Sequence, residues 1–169
     1  NDLLVFATDD QYFAPHWDAE LLRNSKPGRI TAGRLVEPGI IPVYKTNIQK
    51  DFGVTPSEFR EQEFLSWVAT QPSAQFTSDG FFIPLLILKK DFMTLGDFPA
   101  SGQFGTRSEV SNDYLYIQAA KQKGFQFGTA SSSYSYHFQG SSWKKKNLKP
   151  KIAAVVLTYN NSQTISACL

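Results

Sequence analysis

The sequence predicts an α/β protein in which strands and helices alternate along the chain. The chain has 169 residues, of which 41% are apolar, and this suffices for one packed domain. Short apolar runs typical of buried strands alternate with segments whose apolar residues recur at helical spacing. Turn-forming and cap-forming residues separate these segments, which is the pattern of an α/β fold.

Charge, cysteine content and hydropathy exclude several classes of protein. The net charge is +2, so we expect no nucleic-acid partner, because such binders usually carry a strong basic excess. The single cysteine, Cys168, excludes an intramolecular disulfide and a multi-cysteine zinc site. The longest apolar stretch, residues 81–88, is interrupted by Pro84 and is too short to cross a membrane. We therefore expect a cytoplasmic location, with any membrane association provided by parts of the protein outside this chain.

The first predicted strand, residues 3–8, is a nearly continuous apolar run, as expected for a strand buried on both faces. A short helix over residues 15–23 follows, in which Trp17 and Leu21 lie four residues apart and so share a face. Residues 29–36 form the second predicted strand. The N-terminal third of the chain thus predicts a strand–helix–strand unit.

The clearest helix start is at Thr55. Thr55 can cap the helix, Pro56 suits its first position, and Glu58 completes a capping box. The helix presents Phe64 on an apolar face and should end before Pro72.

The second half of the chain continues the alternation. Residues 81–88 form a strand, a helix capped by Ser111 or Asn112 is closed by Gly124, and residues 134–138 form a short aromatic strand. The polar, basic stretch that follows, with three consecutive lysines, is typical of a linker.

A further strand is predicted over residues 152–158, followed by the first turns of a helix. Because a strand begins almost at Asn1 and the last helix stops after two turns, we expect both ends to be cuts through a longer polypeptide.

The sharpest chemical feature is the Thr8-Asp9-Asp10 sequence directly after the first strand. Ligands of open α/β sheets bind outside the carboxyl ends of the strands. Adjacent acids there repel each other unless a positive charge compensates them, and a divalent cation that also binds a diphosphate would do so. The structural alternative is a turn in which an Asp side chain caps the next segment.

Three other residues could carry chemistry. Asp113, at the predicted helix start, is either a general base or a helix cap. His137 lies among aromatic residues and is either a metal or phosphate ligand or a half-buried, hydrogen-bonded residue. Gly80 leads an apolar strand that is either core or the wall of a substrate pocket. We assign His16 to the surface.

In combination these segments resemble the family 2 glycosyltransferases of GT-A fold. Residues 3–10 are similar to that family's strand ending in a metal-binding acidic motif, here Thr-Asp-Asp. Residues 80–98 are similar to its glycine-led strand and the segment after it. Asp97 and Pro99 depart from that pattern, standing where a glycine and an acid are usual.

The later motifs follow in the order of the family. Asn112-Asp113 resembles its acidic pair at a helix start, with Asn112 in place of a glutamate, and Asp113 matches the acid assigned there as the base. Tyr136-His137 resembles the family's late histidine. Residues 154–161 look like its opening strand, which belongs at the start of a domain.

The resemblance implies a partial GT-A fold, a Rossmann-like mixed sheet with flanking helices typical of nucleotide-diphospho-sugar transferases. Residues 1–143 would be the C-terminal part of a glycosyltransferase domain and residues 144–150 a linker. Residues 151–169 would begin a second such domain, or add a strand that packs back on the first.

The resemblance also implies an activity, the transfer of a sugar from a nucleotide-diphosphate donor to a hydroxyl of a glycan or another acceptor, with inversion. Asp9, Asp10 and His137 would bind Mn²⁺ or Mg²⁺. Thr8, Asp9 and Gly80 would contact the donor. The general base would be Asp113.

The family's nucleoside-binding units would precede Asn1. We therefore expect little or no turnover by this chain alone. We also expect self-association through an exposed sheet edge.

Two other functions remain open at this point. A non-catalytic carbohydrate-binding or scaffolding module is compatible with the 14% aromatic content, with Tyr134, Tyr136 and Trp143 available to stack on sugars. A metal-dependent hydrolase could use the two acids and His137 as ligands.

Overall fold

A mixed sheet forms the frame of the chain. The structure is a computed structural model that describes residues 2–40, 43–80, 83–98, 112–139 and 154–155. The strands are β1 (Leu3–Phe6), β2 (Gln11–Phe13), β3 (Arg29–Glu37), β4 (Ile48–Gln49), β5 (Leu85–Leu88), β6 (Gln126–His137) and β7 (Ala154–Val155). The helices are α1 (Trp17–Asn24), α2 (Glu61–Ala69), α3 (Lys89–Leu95) and α4 (Asn112–Gln122), with a 3-10 turn at Pro56–Glu58.

The strand order brings three strand ends to one edge of the sheet. The order is β2-β6-β3-β5-β1-β7, with β4 beside β3. β5 is antiparallel to both β1 and β3, and β6 is parallel to β3. β1, β3 and β6 therefore point the same way, and we call the edge where they end the carboxyl edge. The predicted α/β class, with a mixed sheet and flanking helices, is confirmed.

Helices cover both faces of the sheet, as the alternation of side chains along β5 shows. Leu85 and Ile87 pack in one cluster with Ile117 of α4. Leu86, between them, packs in another cluster with Leu21 of α1. Because successive strand residues point to opposite faces, α1 and α4 lie on opposite sides of the sheet.

A second core forms where α2 meets the end of β6. Phe64 of α2 is fully buried and contacts the rings of Phe52 and Tyr136 at 5.5 and 5.6 Å between centroids. Phe59 stacks on Tyr136 at 5.1 Å. We call this group, with Tyr134 and Phe138, the aromatic cluster; it supports the strand residues next to His137.

The helix predicted from Thr55 starts later than expected. Thr55 precedes only the 3-10 turn, and α2 begins at Glu61. No capping box forms: the Thr55 side chain accepts no backbone N–H of the turn, and its hydroxyl donates instead to the Glu58 carboxylate at 3.0 Å. Phe59 is extended, with φ −70° and ψ 121°, and this interrupts the helix where the Phe59 ring enters the aromatic cluster.

Other boundaries differ in the same way. β1 ends at Phe6, two residues before the predicted end at Thr8. β5 starts at Leu85, after a cis peptide bond at Pro84. The strand predicted over residues 134–138 is the last part of β6, which has 12 residues.

The predicted C-terminal elements lie mostly outside the described residues. Within them, Val5 and Phe6 of β1 pair with Val155 and Ala154 of β7 in antiparallel register. The linker over residues 144–150 lies outside the described part, so the division into two domains stays a prediction. None of the described helices is both long enough and apolar enough to serve as a membrane span.

Candidate functional site at the carboxyl edge

Three titratable side chains from three strand ends meet at the carboxyl edge. The turn after β1 carries Asp10, β3 ends in Glu37, and β6 ends in His137. The parallel register pairs Val36 with Tyr136, so that the next residues, Glu37 and His137, are neighbours. Asp10 reaches them because the chain turns after it into β2, and its carbonyl accepts from the Phe138 N–H at 2.9 Å. We call this group the Asp10–His137–Glu37 row.

His137 lies between the two carboxylates. Its Nδ1 is 2.8 Å from Glu37 Oε1, and its Nε2 is 3.4 Å from Asp10 Oδ2. The side chains are 21% (His137), 14% (Asp10) and 6% (Glu37) exposed, so the imidazole is the part of the row nearest to solvent. His137 is therefore half-buried and hydrogen-bonded, which is the structural alternative weighed from the sequence. Its role as a metal or phosphate ligand stays a prediction.

The pKa values of the row follow from this arrangement. Burial alone would lower the pKa of His137, but hydrogen bonds and charges from Asp10 and Glu37 outweigh it and raise the pKa to about 9. Burial would raise the pKa of Glu37, but hydrogen bonds from His137 and Asn47 lower it below its ordinary value. Without a bound cation the row therefore favours an imidazolium between two carboxylates.

Two amides hold Glu37 from the other side. Asn47 Nδ2 donates to Glu37 Oε2 at 2.9 Å, and Gln139 Nε2 donates to Oε1 at 3.2 Å. The Gln139 amide is itself oriented, because its Oε1 accepts from the Gly39 N–H at 3.1 Å. Glu37 and Gln139 are 4% and 2% exposed, so these contacts are shielded from water.

Thr8 and Asp9, predicted to contact the donor, occupy the turn between β1 and Asp10. Asp9 is exposed and Thr8 is half-buried. The Thr8 hydroxyl oxygen is itself buried and has no hydrogen-bond partner among the described residues. The turn therefore presents a carboxylate to solvent beside the row.

Gly80 has a packing role that the sequence did not reveal. A Cβ atom at this position would lie 1.8 Å from Thr129 Oγ1 of β6. The Thr129 hydroxyl donates to the Asp79 carbonyl at 2.7 Å, which holds the two segments together. The predicted contact between Gly80 and a donor stays a prediction.

Asp113 lies in the first turn of α4, near the predicted helix start, and is half-buried. Its Oδ1 accepts from the Tyr114 N–H at 2.9 Å, a local bond of the kind that capping predicts. α4 leads into β6 through residues 123–125 and packs on the sheet.

Aromatic contacts link this helix start to β1. Tyr116, one turn after Asp113, stacks on Phe98 at 4.2 Å, and Phe98 contacts Phe6 at 5.0 Å. Phe6 is the last residue of β1 and lies three residues before Asp9. These rings connect the first turns of α4 to the end of β1.

The row can be tested for its fit to a divalent cation. Two atoms that each bind one ion at about 2.1 Å are roughly 3.0–3.4 Å apart at octahedral to tetrahedral angles. The 3.4 Å between Asp10 Oδ2 and His137 Nε2 lies at the tetrahedral end of this range, and without a cation it is the distance of a direct ion pair. Across the described ranges, no set of three or more His, Cys, Asp or Glu side chains is arranged to hold a metal ion. A cation here would thus need further ligands from substrate or water.

Comparisons with known proteins add no identification. No family model, no curated protein and no solved structure matches this chain.

The carbohydrate-binding alternative predicted that the rings of Tyr134 and Tyr136 are available to stack on sugars, and this prediction is wrong. Tyr134 and Tyr136 are 4% and 0% exposed, so neither ring can stack on a sugar. Both belong to the aromatic cluster. Trp143, the third residue of that hypothesis, lies outside the described residues.

Sequence reasoning missed Glu37, Asn47 and Gln139. Glu37 carried a usable signal, because it is an acid at the end of an apolar strand, like Asp9 and Asp10. Asn47 and Gln139 carried none, since their contact with Glu37 depends on how distant segments meet.

Proposed function

We propose that this chain is part of an inverting glycosyltransferase that uses a nucleotide-diphosphate sugar as donor. The observation that carries the proposal is the spacing of Asp10 and His137, which suits two ligands of one divalent cation. Aromatic contacts through Phe98 connect the first turns of α4, the helix that carries Asp113, to β1. Ligands for a cation and a separate carboxylate for an acceptor are the groups that a direct displacement on a sugar diphosphate needs.

Asp10 and His137 are the proposed ligands of Mn²⁺ or Mg²⁺, with the exposed Asp9 beside them. Mg²⁺ is commonly held by one or two carboxylates together with substrate phosphates, so a small protein ligand set is sufficient when a diphosphate is present. When bound, the cation would neutralise negative charge that develops on the departing diphosphate. Thr8 and Asp9, on the turn, are the proposed contacts to the donor.

Asp113 is the proposed general base. Its carboxylate accepts the proton of the acceptor hydroxyl while that oxygen attacks the anomeric carbon from the face opposite the diphosphate. Attack from that face inverts the configuration. The Tyr114 N–H, which donates to Asp113 Oδ1, helps to keep this carboxylate in one orientation.

Metal binding by the row tests the proposal. The loss of the free Mn²⁺ signal in electron paramagnetic resonance is measured during titration with the chain, alone and with UDP or GDP. We expect binding by the wild-type chain and at least about ten-fold weaker binding by Asp10→Asn, since one carboxylate ligand is lost. Asp18→Asn, at an exposed position of α1, is the matched control and should bind as the wild type does. Failure of the wild-type chain to bind Mn²⁺ under all three conditions would overturn the proposal.

A further inference from the structure

We propose that Glu37 is a positioning residue, which fixes the His137 imidazole so that Nε2 faces a cation shared with Asp10. The inference rests on the proposed function, because it concerns the same cation. It adds a role for a residue that the sequence resemblance did not include.

The hydrogen bonds around Glu37 determine which nitrogen of His137 carries a proton. Glu37 Oε1 receives the Gln139 amide at 3.2 Å and Oε2 receives the Asn47 amide at 2.9 Å. The Gln139 amide cannot be reversed without losing the Gly39 N–H bond to its Oε1. Hydrogen bonds from two amides, one to each oxygen, favour the ionised form of the Glu37 carboxyl group, which has no proton to give. His137 Nδ1, 2.8 Å from Glu37 Oε1, must therefore be the donor.

A proton held on Nδ1 decides what Nε2 can do. When the imidazole is neutral, its lone pair is then on Nε2, and Nε2 is the atom that lies 3.4 Å from Asp10 Oδ2. A carboxylate behind a ligating histidine is a common arrangement at metal sites, where it fixes the tautomer and the ring orientation. Glu37 acts in this way on His137 and does not itself face the cation.

The contact is built into the sheet rather than made by a surface rotamer. β3 and β6 are parallel neighbours, and their register brings Glu37 beside His137. On the other side of β6, Gln11 of β2 pairs with His137. Backbone pairing on both sides thus fixes the position of the His137 Cα atom, and the hydrogen bond to Glu37 fixes the orientation of the imidazole ring.

Glu37→Gln tests the inference, because a glutamine cannot accept all three hydrogen bonds. Its amide nitrogen must face one of the donors, so the bond from His137 or from a neighbouring amide is lost. We expect Mn²⁺ affinity to fall by about 10–100-fold, the usual effect of losing a partner of a ligating histidine. Glu63→Gln is the matched control, because Glu63 is an exposed residue of α2 whose side chain is 63% exposed.

A spectroscopic readout separates positioning from a general loss of structure. Long-range ¹H–¹⁵N correlations of the imidazole rings are recorded with saturating Mg²⁺. The sequence has two histidines, and the exposed His16 provides an internal reference with averaged tautomers. We expect His137 in the wild-type chain to show a protonated Nδ1, and Glu37→Gln to abolish this preference while His16 is unchanged.

The outcomes separate this inference from the proposed function. If the wild-type chain binds Mn²⁺ but Glu37→Gln binds it equally well, Glu37 has no positioning role and the metal site stands. A wild-type His137 whose Nδ1 carries no proton overturns the inference without any variant, and so applies even if Glu37→Gln does not fold. If the wild-type chain binds no Mn²⁺, the proposed function fails, and this inference fails with it.

Discussion

The hydroxyl of Tyr136 is bonded to the backbone at Phe52. It accepts from the Phe52 N–H at 3.0 Å and donates to the Gly53 carbonyl at 2.8 Å. Tyr136 is fully buried, so water cannot replace either bond. Since Tyr136 precedes His137 in β6, these bonds tie the segment before α2 to the strand that carries the site.

Removing only this hydroxyl should therefore destabilise the fold. We expect Tyr136→Phe to lower the free energy of unfolding by about 1–3 kcal/mol, because two buried backbone groups lose their partner. The measurement is urea unfolding followed by circular dichroism. The control is Tyr44→Phe at an exposed position, which should change stability by no more than about 0.5 kcal/mol. Equal stability of the two variants would show that the hydroxyl contributes nothing.

The row predicts a pH dependence of stability in the presence of a metal chelator. Burial acts against protonation, but Asp10 and Glu37 raise the pKa of His137 to about 9, compared with about 6.5 in an unfolded chain. Because the folded pKa is the higher one, this stabilisation is fully present below about pH 6.5 and is lost as the pH rises through the folded pKa. We expect the Tm to fall over this range.

Two variants assign that pH dependence to one residue. In His137→Gln the fall in Tm between about pH 6.5 and about pH 9 should be smaller than in the wild-type chain, whatever the absolute Tm of the variant. In His16→Gln, altered at an exposed histidine, it should be unchanged. A wild-type Tm that stays constant across the range would contradict the raised pKa.

The contact between Gly80 and Thr129 predicts a strong interaction between two substitutions. Gly80→Ala would place a Cβ 1.8 Å from Thr129 Oγ1, so we expect a loss of about 1–3 kcal/mol from overpacking. In a Thr129→Ala background the same substitution should cost less, because the obstructing atom is gone. A double-mutant cycle from urea unfolding measures this coupling. Additive effects would show that the two residues do not meet.

The proposed base predicts a kinetic effect in an active protein that contains this chain. Asp113→Asn should lower kcat by about 10²–10⁴-fold, the usual contribution of one general base. Donor affinity should be unchanged, since Asp113 does not bind the cation. Asp18→Asn is the control. Unaltered turnover of Asp113→Asn would remove Asp113 from the mechanism.

Much of the frame was predictable because it follows local rules. The apolar run of β1 and the helix from Asn112 to the turn at Gly124 were recognisable from pattern and punctuation. The same rules identified Asp10 as an acid at a strand end, and His137 as a polar residue in an aromatic strand. These residues carry their signal in their immediate neighbours.

The first part of β6 was missed because its sequence is polar. It is rich in glycine, serine and threonine, which predict loops. In the fold its hydroxyls are satisfied by distant backbone: Ser133 donates to the Trp17 carbonyl at 2.8 Å, and Thr129 to that of Asp79. Burial of a polar strand thus depends on partners that sequence pattern does not identify.

The site was only half predictable for the same reason. Glu37 and His137 are 100 residues apart in sequence, and only the parallel register of β3 and β6 makes them neighbours. An isolated acid and an isolated histidine therefore gave no sign that they form one unit.

The three members of the row belong to segments that are joined only by the assembled sheet. Any ion held by Asp10 and His137 would have to leave before those segments could separate. Occupancy would then protect the whole sheet against heat, rather than one loop, and the protection would rise with the logarithm of the free ion concentration once that exceeds the Kd. Measuring the Tm in a series of metal salts would therefore show whether a cation binds to the row, without any knowledge of the substrate.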